Sequence, residues 1–230
     1  MPAEAGSAPR RARVLVVDDH PVVRAGVVHL LSDEPDLEVC AEASGVEEAI
    51  AALAAAESDP AGCPDLAVVD IMLPDGCGLE LVRELRERSP ELPILVASVH
   101  DELLFAERAL RAGARGFINK QEAADELLEA IREILSGGTW LSASIRERWE
   151  RRRGDAGLSA GPPSELDLSD RELQVFALIG RGAPTREIAE RLDLSVKTVE
   201  SYREKIKVKL GLDNGNELMR RAVEWSLRQG

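Results

Sequence analysis

Five short apolar runs, each followed by a segment of helical character, constrain the fold of this chain most strongly. One of them, Leu66–Val69, is an apolar run rich in β-branched residues, as in a strand that is buried on both faces of a parallel sheet. The predicted strands are Arg13–Val17, Leu37–Ala41, Leu66–Val69, Ile94–Ala97 and Gly116–Ile118, and the predicted helices are Pro21–Ser32, Val46–Glu57, Gly78–Arg88, Asp101–Ala112 and Ala123–Leu135. This alternation predicts an α/β domain with a doubly wound, five-stranded parallel sheet and right-handed crossovers.

Acidic residues follow two of these predicted strands. Asp18 and Asp19 come after the first strand, and Asp70 comes after the third. The carboxyl ends of strands in an open α/β sheet are where ligands bind, although Asp70 taken alone equally suits a helix N-cap. Three carboxylates in one pocket repel each other, and Mg²⁺ prefers such hard oxygen ligands. We therefore expect a Mg²⁺ site here, with one carboxylate free to attack.

Two further polar groups follow later strands. Ser98 ends the fourth strand, and Lys120 comes shortly after the fifth. A single serine or lysine in such a place is usually a solvated surface residue. Polar groups at four strand ends of one sheet favour a shared site.

The segments VVDDH, VVDIMLPDGCGLEL, ILVASVHDE and GARGFINK resemble, in that order, the receiver domain of two-component response regulators. The resemblance covers residues 12–136 and implies a flavodoxin-like fold. It implies that a histidine kinase phosphorylates Asp70. It also implies that Mg²⁺ is held by Asp18, Asp19, Asp70 and the backbone carbonyl of Met72.

The same resemblance implies a switch around the phosphoryl group. The Ser98 hydroxyl would bond a phosphoryl oxygen, Lys120 would neutralise charge, and Phe117 would turn inward into the space that Ser98 leaves. Ordinary core packing of Phe117 is the alternative.

The second half of the chain is predicted to be all helical. Ser169 and Glu172 form a capping-box pattern at the start of a helix that runs to Arg181, and further helices are expected at Thr185–Leu192, Val196–Leu210 and Asn216–Leu227. The second and third helices, joined by a short turn, suit a helix-turn-helix. Helical spacing alone leaves a generic four-helix bundle open.

The stretch LSDRELQVFALIGRGAPTREIAERLDLSVKTVESYREKIKVKLGL is similar to the DNA-binding domain of NarL/FixJ (LuxR-type) regulators, over residues 166–228. The resemblance implies a double-stranded DNA partner and a recognition helix that presents Lys197, Thr198, Glu200, Ser201, Arg203, Glu204, Lys205, Lys207 and Lys209. Many family members carry a basic residue where Glu200 stands and histidine where Tyr202 stands, so the target sequence stays open.

Charge is unevenly divided between the two halves. Residues 11–136 carry 11 basic and 26 acidic side chains, a net charge of −15, while residues 164–230 carry 12 of each. Residues 195–210 of the recognition helix carry five basic and two acidic side chains, a net charge of +3. We expect the acidic receiver to mask this basic helix until phosphorylation releases it for binding as a homodimer.

We divide the chain into a disordered lead (1–11), a receiver (12–136), a linker (137–163) and a helix-turn-helix domain (164–230). The linker is expected to hold a short helix at Ala143–Arg153 and a flexible stretch at Gly154–Pro163.

Other classes of protein fit less well. No apolar run approaches the roughly 18 residues of a membrane span, the N-terminus lacks the apolar core of a secretory signal, and the cysteines lack metal-ligand spacing. These features indicate a cytoplasmic protein. A phosphatase of the haloacid-dehalogenase type would need a second aspartate at position 72, which is Met72.

A regulator that acts through protein contacts alone would need neither the acidic triad nor Lys120. We expect a transcription regulator activated by phosphorylation. We expect no enzymatic activity beyond its own phosphoryl transfer and autodephosphorylation.

Overall fold

A computed structural model describes residues 10–56, 58, 62–98, 102–120, 124–143, 145–146 and 168–227. Its first half contains one parallel sheet with the strand order β2-β1-β3-β4-β5. The strands are β1 (Ala12–Val17), β2 (Leu37–Ala43), β3 (Leu66–Val69), β4 (Ile94–Ser98) and β5 (Gly116–Asn119). The predicted doubly wound α/β fold is confirmed.

Helices cover both faces of the sheet, because each strand offers apolar side chains to both sides. They are α1 (Pro21–Ser32), α2 (Val46–Ala56), α3 (Gly78–Arg88), α4 (Glu102–Ala112) and α5 (Ala124–Leu135). One apolar core contains Val16, Val68 and Ile131 on the α1 and α5 side. The other contains Val17, Leu85 and Phe105 on the side of α2, α3 and α4.

The second half is a bundle of four described helices: α6 (Asp170–Gly180), α7 (Thr185–Arg191), α8 (Val196–Leu210) and α9 (Gly215–Leu227). The predicted capping box is present, since the Ser169 side chain accepts from the Glu172 amide and the Glu172 side chain accepts from the Ser169 amide. Gly211 ends α8 with φ +65°, a left-handed conformation that glycine adopts without strain. The predicted helix ends agree with the structure to within two residues.

The chain after α5 returns to the sheet. Trp140 forms a parallel bridge with Gly116, and its carbonyl accepts from the Phe117 amide at 3.0 Å. A Cβ atom on Gly116 would lie 2.9 Å from the Trp140 carbonyl oxygen, so only glycine allows this approach. The first part of the predicted linker is therefore fixed along β5. The predicted flexible stretch at 154–163 and most of the predicted helix at 143–153 lie outside the described residues, as do residues 1–9.

The two halves share one continuous apolar core. The cluster that contains Leu81 and Phe105 of the receiver half also contains Phe176 and Ile179 of α6. Ten consecutive residues of α6, Asp170–Ile179, are buried, although the sequence gives this helix polar as well as apolar faces. Because α6 packs against α7, α8 and α9 as well, it is the helix through which the bundle meets the receiver.

Candidate functional site

Two carboxylates meet at the carboxyl edge of the sheet. Residues Val17 and Val69 are register partners in adjacent strands, so Asp18 and Asp70, which follow them, lie side by side. The Asp18 amide donates to the Ala43 carbonyl at 3.0 Å, and the Asp70 amide donates to the Val17 carbonyl at 2.9 Å. Both residues are only 3% exposed. The sheet thus fixes the two buried carboxylates side by side.

Lys120 joins these two carboxylates. Its Nζ lies 2.5 Å from Oδ2 of Asp18 and 2.6 Å from Oδ2 of Asp70. The Lys120 amide donates to the Ser98 carbonyl, which anchors the chain just after β5. Burial raises the pKa of Asp70, while the Lys120 charge and hydrogen bond act in the opposite direction and the nearby Asp18 adds to the increase. One lysine thus faces two buried carboxylates, whose mutual repulsion contributes to the raised pKa of Asp70.

Asp19 is the third carboxylate beside Asp18 and Asp70, and its surroundings show whether a cation fits there. Its Oδ1 is buried and makes no hydrogen bond, although Nδ1 of His20 lies 2.6 Å away. Asp18, Asp19, His20 and Asp70 can each bring one ligand atom to within 4.8 Å of the others. A buried carboxylate oxygen without a hydrogen bond, beside two more carboxylates, suits a hard divalent cation such as Mg²⁺. The residues present fit the expected metal.

Met72, whose backbone carbonyl was expected to bind the metal, lies two residues after Asp70. Its amide nitrogen is 3.4 Å from Oδ1 of Asp70, and it forms an antiparallel bridge with Cys77 across the loop. Gly78 lets the loop close, since a Cβ there would lie 1.9 Å from the Asp70 carbonyl oxygen. The loop Ile71–Cys77, which we call the acceptor loop, is thus folded tightly against Asp70.

The predicted switch residues are both buried. Ser98 is 0% exposed and Phe117 is 1% exposed. Phe117 belongs to the core on the α4 side. The Phe117 side chain lies inside in this conformation, and its inward turn on phosphorylation stays a prediction. Because it packs well there, core packing accounts for its present position.

The predicted recognition helix, α8, has one exposed face. Val199, Ile206 and Leu210 point into the bundle, while Lys197, Ser201 and Lys205 are exposed. Glu200 and Glu204 are also exposed, and Val208, which sequence reasoning did not select, is 81% exposed on the same side. This side is open to a partner.

Four other predicted contact residues have partners within the protein or are half-buried. Lys209 donates to Oε2 of Glu172 at 2.7 Å and so supports the capping box of α6. Lys207 pairs with Glu204 at 2.9 Å and is only 18% exposed. Arg203 and Thr198 are half-buried, and Thr198 caps the helix start together with Ser195. The ion pair gives Lys209 a role in the fold, although the residue is exposed, and its contact with DNA stays a prediction.

Sequence reasoning missed the residues that join the two halves. Asp170 of α6 pairs with Arg83 of α3 and Arg108 of α4, each at 2.9 Å. Arg171 and Gln174, also on α6, donate to backbone carbonyls of the acceptor loop. In the sequence these side chains look like an ordinary polar helix face. Only the contact between the halves shows their role.

The contact also corrects the expected masking. The charges predicted that the acidic receiver would cover the basic α8, but the receiver is contacted by α6 and by Leu168 just before it, and the outer side of α8 is exposed. A net charge of +3 on α8 gives a long-range attraction that salt screens. The two halves instead meet at α6, through the ion pairs of Asp170 and apolar packing.

Comparisons with known proteins agree with both halves. The family model "Response regulator receiver domain" matches residues 14–132, and "Bacterial regulatory proteins, luxR family" matches residues 166–222. The transcriptional regulatory protein UhpA of Escherichia coli (strain K12) is 38% identical over 92% of this chain and 97% of its own length. The DNA-binding transcriptional activator DevR/DosR of Mycobacterium tuberculosis is 36% identical over 87% of this chain and 89% of its own length.

A solved structure of the response regulator RcsB from Salmonella typhimurium covers 94% of this chain and 98% of its own, with 23% identity and a TM-score of 0.64, which shows the shared fold. No helix in the described part of the chain has the length and apolar character that a bilayer crossing needs. The order of motifs, the acidic pocket at the sheet edge and the four-helix bundle lead to one assignment: the chain belongs to the two-component response regulators of the NarL/FixJ type, with a receiver domain followed by a LuxR-type DNA-binding domain.

Proposed function

We propose that this regulator controls transcription through phosphorylation of Asp70 by a histidine kinase, with Mg²⁺ as cofactor. The observation that supports the proposal best is the buried pair of carboxylates, Asp18 and Asp70, bridged by Lys120 at the edge of the sheet. Burying charged groups costs folding free energy, so the arrangement favours a functional role over a purely structural one. An acceptor site for a phosphoryl group is the purpose that the family suggests.

Each residue has a separate task in this transfer. The ionised carboxylate of Asp70 attacks the phosphorus atom, and the bond from phosphorus to the donor nitrogen breaks. Asp18, Asp19 and the Met72 carbonyl would hold Mg²⁺, which neutralises charge on the phosphoryl oxygens when it is bound. Lys120 lies within reach of Asp70 and gives the same help from the other side. Ser98 supplies a hydroxyl for a phosphoryl oxygen.

The output is DNA binding by α7 and α8. The relatives support this, since DevR/DosR is described as a DNA-binding activator. We propose that DNA is contacted by four exposed residues of α8: Lys197, Glu200, Ser201 and Lys205. Lysines meet phosphates, and Glu200 can accept from a cytosine amino group in the major groove. One such domain reads few base pairs, so we propose that a phosphorylated dimer binds two half-sites.

Labelling tests the acceptor directly. The full-length protein, incubated with a small phosphodonor and Mg²⁺, should gain one acid-labile phosphoryl group by intact mass, and Asp70→Asn should gain none. Asp75→Asn is a matched control, since Asp75 lies on the same loop but caps α2 through the Val46 amide. Labelling of Asp70→Asn at the wild-type level would exclude the acceptor role.

A further inference from the structure

The acceptor loop is held from outside the receiver. Gln174 Nε2 donates to the Ile71 carbonyl at 2.8 Å, and Arg171 Nη1 donates to the Gly76 carbonyl at 2.9 Å. Arg171 also reaches the carbonyls of Leu73 and Pro74, both at 3.4 Å. Gln174 is 0% exposed and Arg171 is 9% exposed. Two side chains of the DNA-binding domain therefore bind the backbone that directly follows Asp70.

The same arginine also contacts the helix-turn-helix. Arg171 Nη2 donates to the carbonyl of Leu192, which caps α7 just before the turn into α8. Its Nη1 donates to Oε1 of Gln174 at 2.8 Å, so the two side chains support each other. A guanidinium has five donors in a fixed plane, which allows one residue to bind several carbonyls at once. Arg171 thus connects the acceptor loop with the DNA-binding motif.

These bonds limit how the Met72 carbonyl can move. Gln174 fixes the peptide plane that precedes Met72, because that plane contains the Ile71 carbonyl. Arg171 contacts the plane that follows Leu73. The plane with the Met72 carbonyl lies between them, and a planar peptide turns only through the dihedral angles on either side. A rearrangement of the acceptor loop that moves the carbonyls of Ile71, Leu73 or Gly76 must therefore stretch or break bonds to α6.

We infer that Arg171 and Gln174 are positioning residues of the phosphorylation site, which restrain the acceptor loop while the two domains are docked. The inference rests on the proposed function of Asp70. Coupling between two sites is reciprocal. A loop rearrangement that accompanies cation or phosphoryl binding breaks bonds to Gln174 and Arg171 and so weakens docking, and loss of docking favours the rearranged loop by the same factor. The DNA-binding domain then responds to phosphorylation of Asp70 and, while it is docked, also slows that phosphorylation.

The test uses full-length Gln174→Met and Arg171→Met, which keep the side-chain length but lose the donors. The matched control is Arg88→Met, because Arg88 is an exposed arginine of α3 whose ion pair among the described residues is with Glu84 on its own helix. Mg²⁺ affinity is measured by calorimetry, the phosphorylation rate with a small phosphodonor, and domain release by the radius of gyration in solution scattering.

We expect both variants to have a larger radius of gyration, and to bind Mg²⁺ and become phosphorylated at least about fivefold better than wild type, which is the lower end of usual coupling. The control should match wild type. Unchanged or weaker Mg²⁺ binding in variants whose domains have separated would overturn the inference.

A second variant covers the case in which a buried substitution prevents folding. Asp170→Asn weakens the ion pairs with Arg83 and Arg108 without changing a side chain that contacts the acceptor loop. It should separate the domains and improve Mg²⁺ binding in the same direction, and wild-type affinity after separation would again overturn the inference. The two proposals fail in different ways. If the wild-type protein gains no phosphoryl group at Asp70, the proposed function is refuted. The Mg²⁺ titrations still decide whether Arg171 and Gln174 are positioning residues.

Discussion

Lys209 of α8 has two possible roles, a DNA contact or an ion pair within the protein. The sequence placed it among the DNA contacts, but its Nζ lies 2.7 Å from Oε2 of Glu172, whose side chain is 5% exposed. The same Oε2 accepts from the Ser169 amide at 2.7 Å. The prediction is that Lys209→Met and Glu172→Gln lower the free energy of unfolding through one shared interaction.

The contacts set the size of the effect. A hydrogen bond to a charged group is worth about 1.5–3 kcal/mol when it is well buried. Lys209 is 40% exposed, so solvent screening reduces this value, and we expect a coupling of about 1 kcal/mol in a double-mutant cycle. Glu172→Gln keeps an oxygen that can accept from the Ser169 amide. The loss of unfolding free energy therefore measures the lost charge of Glu172 rather than the lost capping hydrogen bond.

The pH dependence follows from the pKa of Glu172. Burial raises this pKa, but the bonds from Lys209 and Ser169 outweigh burial, so the pKa lies below its usual value of 4.5. A carboxylate with a lowered pKa in the folded state stabilises the protein fully above pH 4.5, and the contribution disappears as pH falls through the lowered pKa. The difference between wild type and Glu172→Gln should therefore shrink in acid.

Urea unfolding at several pH values measures both effects. DNA binding by Lys209→Met should keep the salt dependence of wild type, since no phosphate contact is lost. A coupling energy near zero, together with a reduced salt dependence for Lys209→Met, would show that Lys209 meets DNA and refute the reasoning.

Three other substitutions give separate tests. Lys205→Ala should lower affinity for all DNA sequences and reduce the slope of binding against salt by about one unit, as measured by fluorescence anisotropy. Asp19→Ala should weaken Mg²⁺ binding in calorimetry and phosphorylation together, and an unchanged Mg²⁺ affinity would reject its role as a ligand. Gly116→Ala should destabilise the protein by about 1–3 kcal/mol in urea, because its Cβ would meet Trp140 and Ile134; faster hydrogen exchange of the Phe117 amide should accompany it.

The sequence was sufficient for most of the fold. A strand such as Leu66–Val69 was predictable because a doubly buried strand is a continuous apolar run. This strand and the helix Gly78–Arg88 have the predicted bounds. The capping box at Ser169 and the glycine stop at Gly211 are local signals, which depend only on neighbouring residues. The meeting of Asp18 and Asp70 followed from the strand order of such a sheet.

Contacts between the halves were not predictable in the same way. Asp170, Arg171 and Gln174 are polar, and a polar helix face usually points to solvent. Their partners are backbone carbonyls and arginines on distant elements, which leave no trace in the spacing of residues. The charge argument for masking of α8 failed for a related reason: net charge indicates attraction at a distance, whereas docking depends on shape and short-range bonds.

The most direct measurement compares DNA affinity before and after phosphorylation in the full-length protein. Genomic fragments that the protein selects would be labelled and titrated at one fixed salt concentration, with and without a small phosphodonor and Mg²⁺, for wild type and Asp70→Asn. The account predicts that the phosphodonor raises wild-type affinity at least about fivefold and leaves Asp70→Asn unchanged. An equal response of Asp70→Asn, or no response of a wild-type protein that mass spectrometry shows to be phosphorylated, would contradict it.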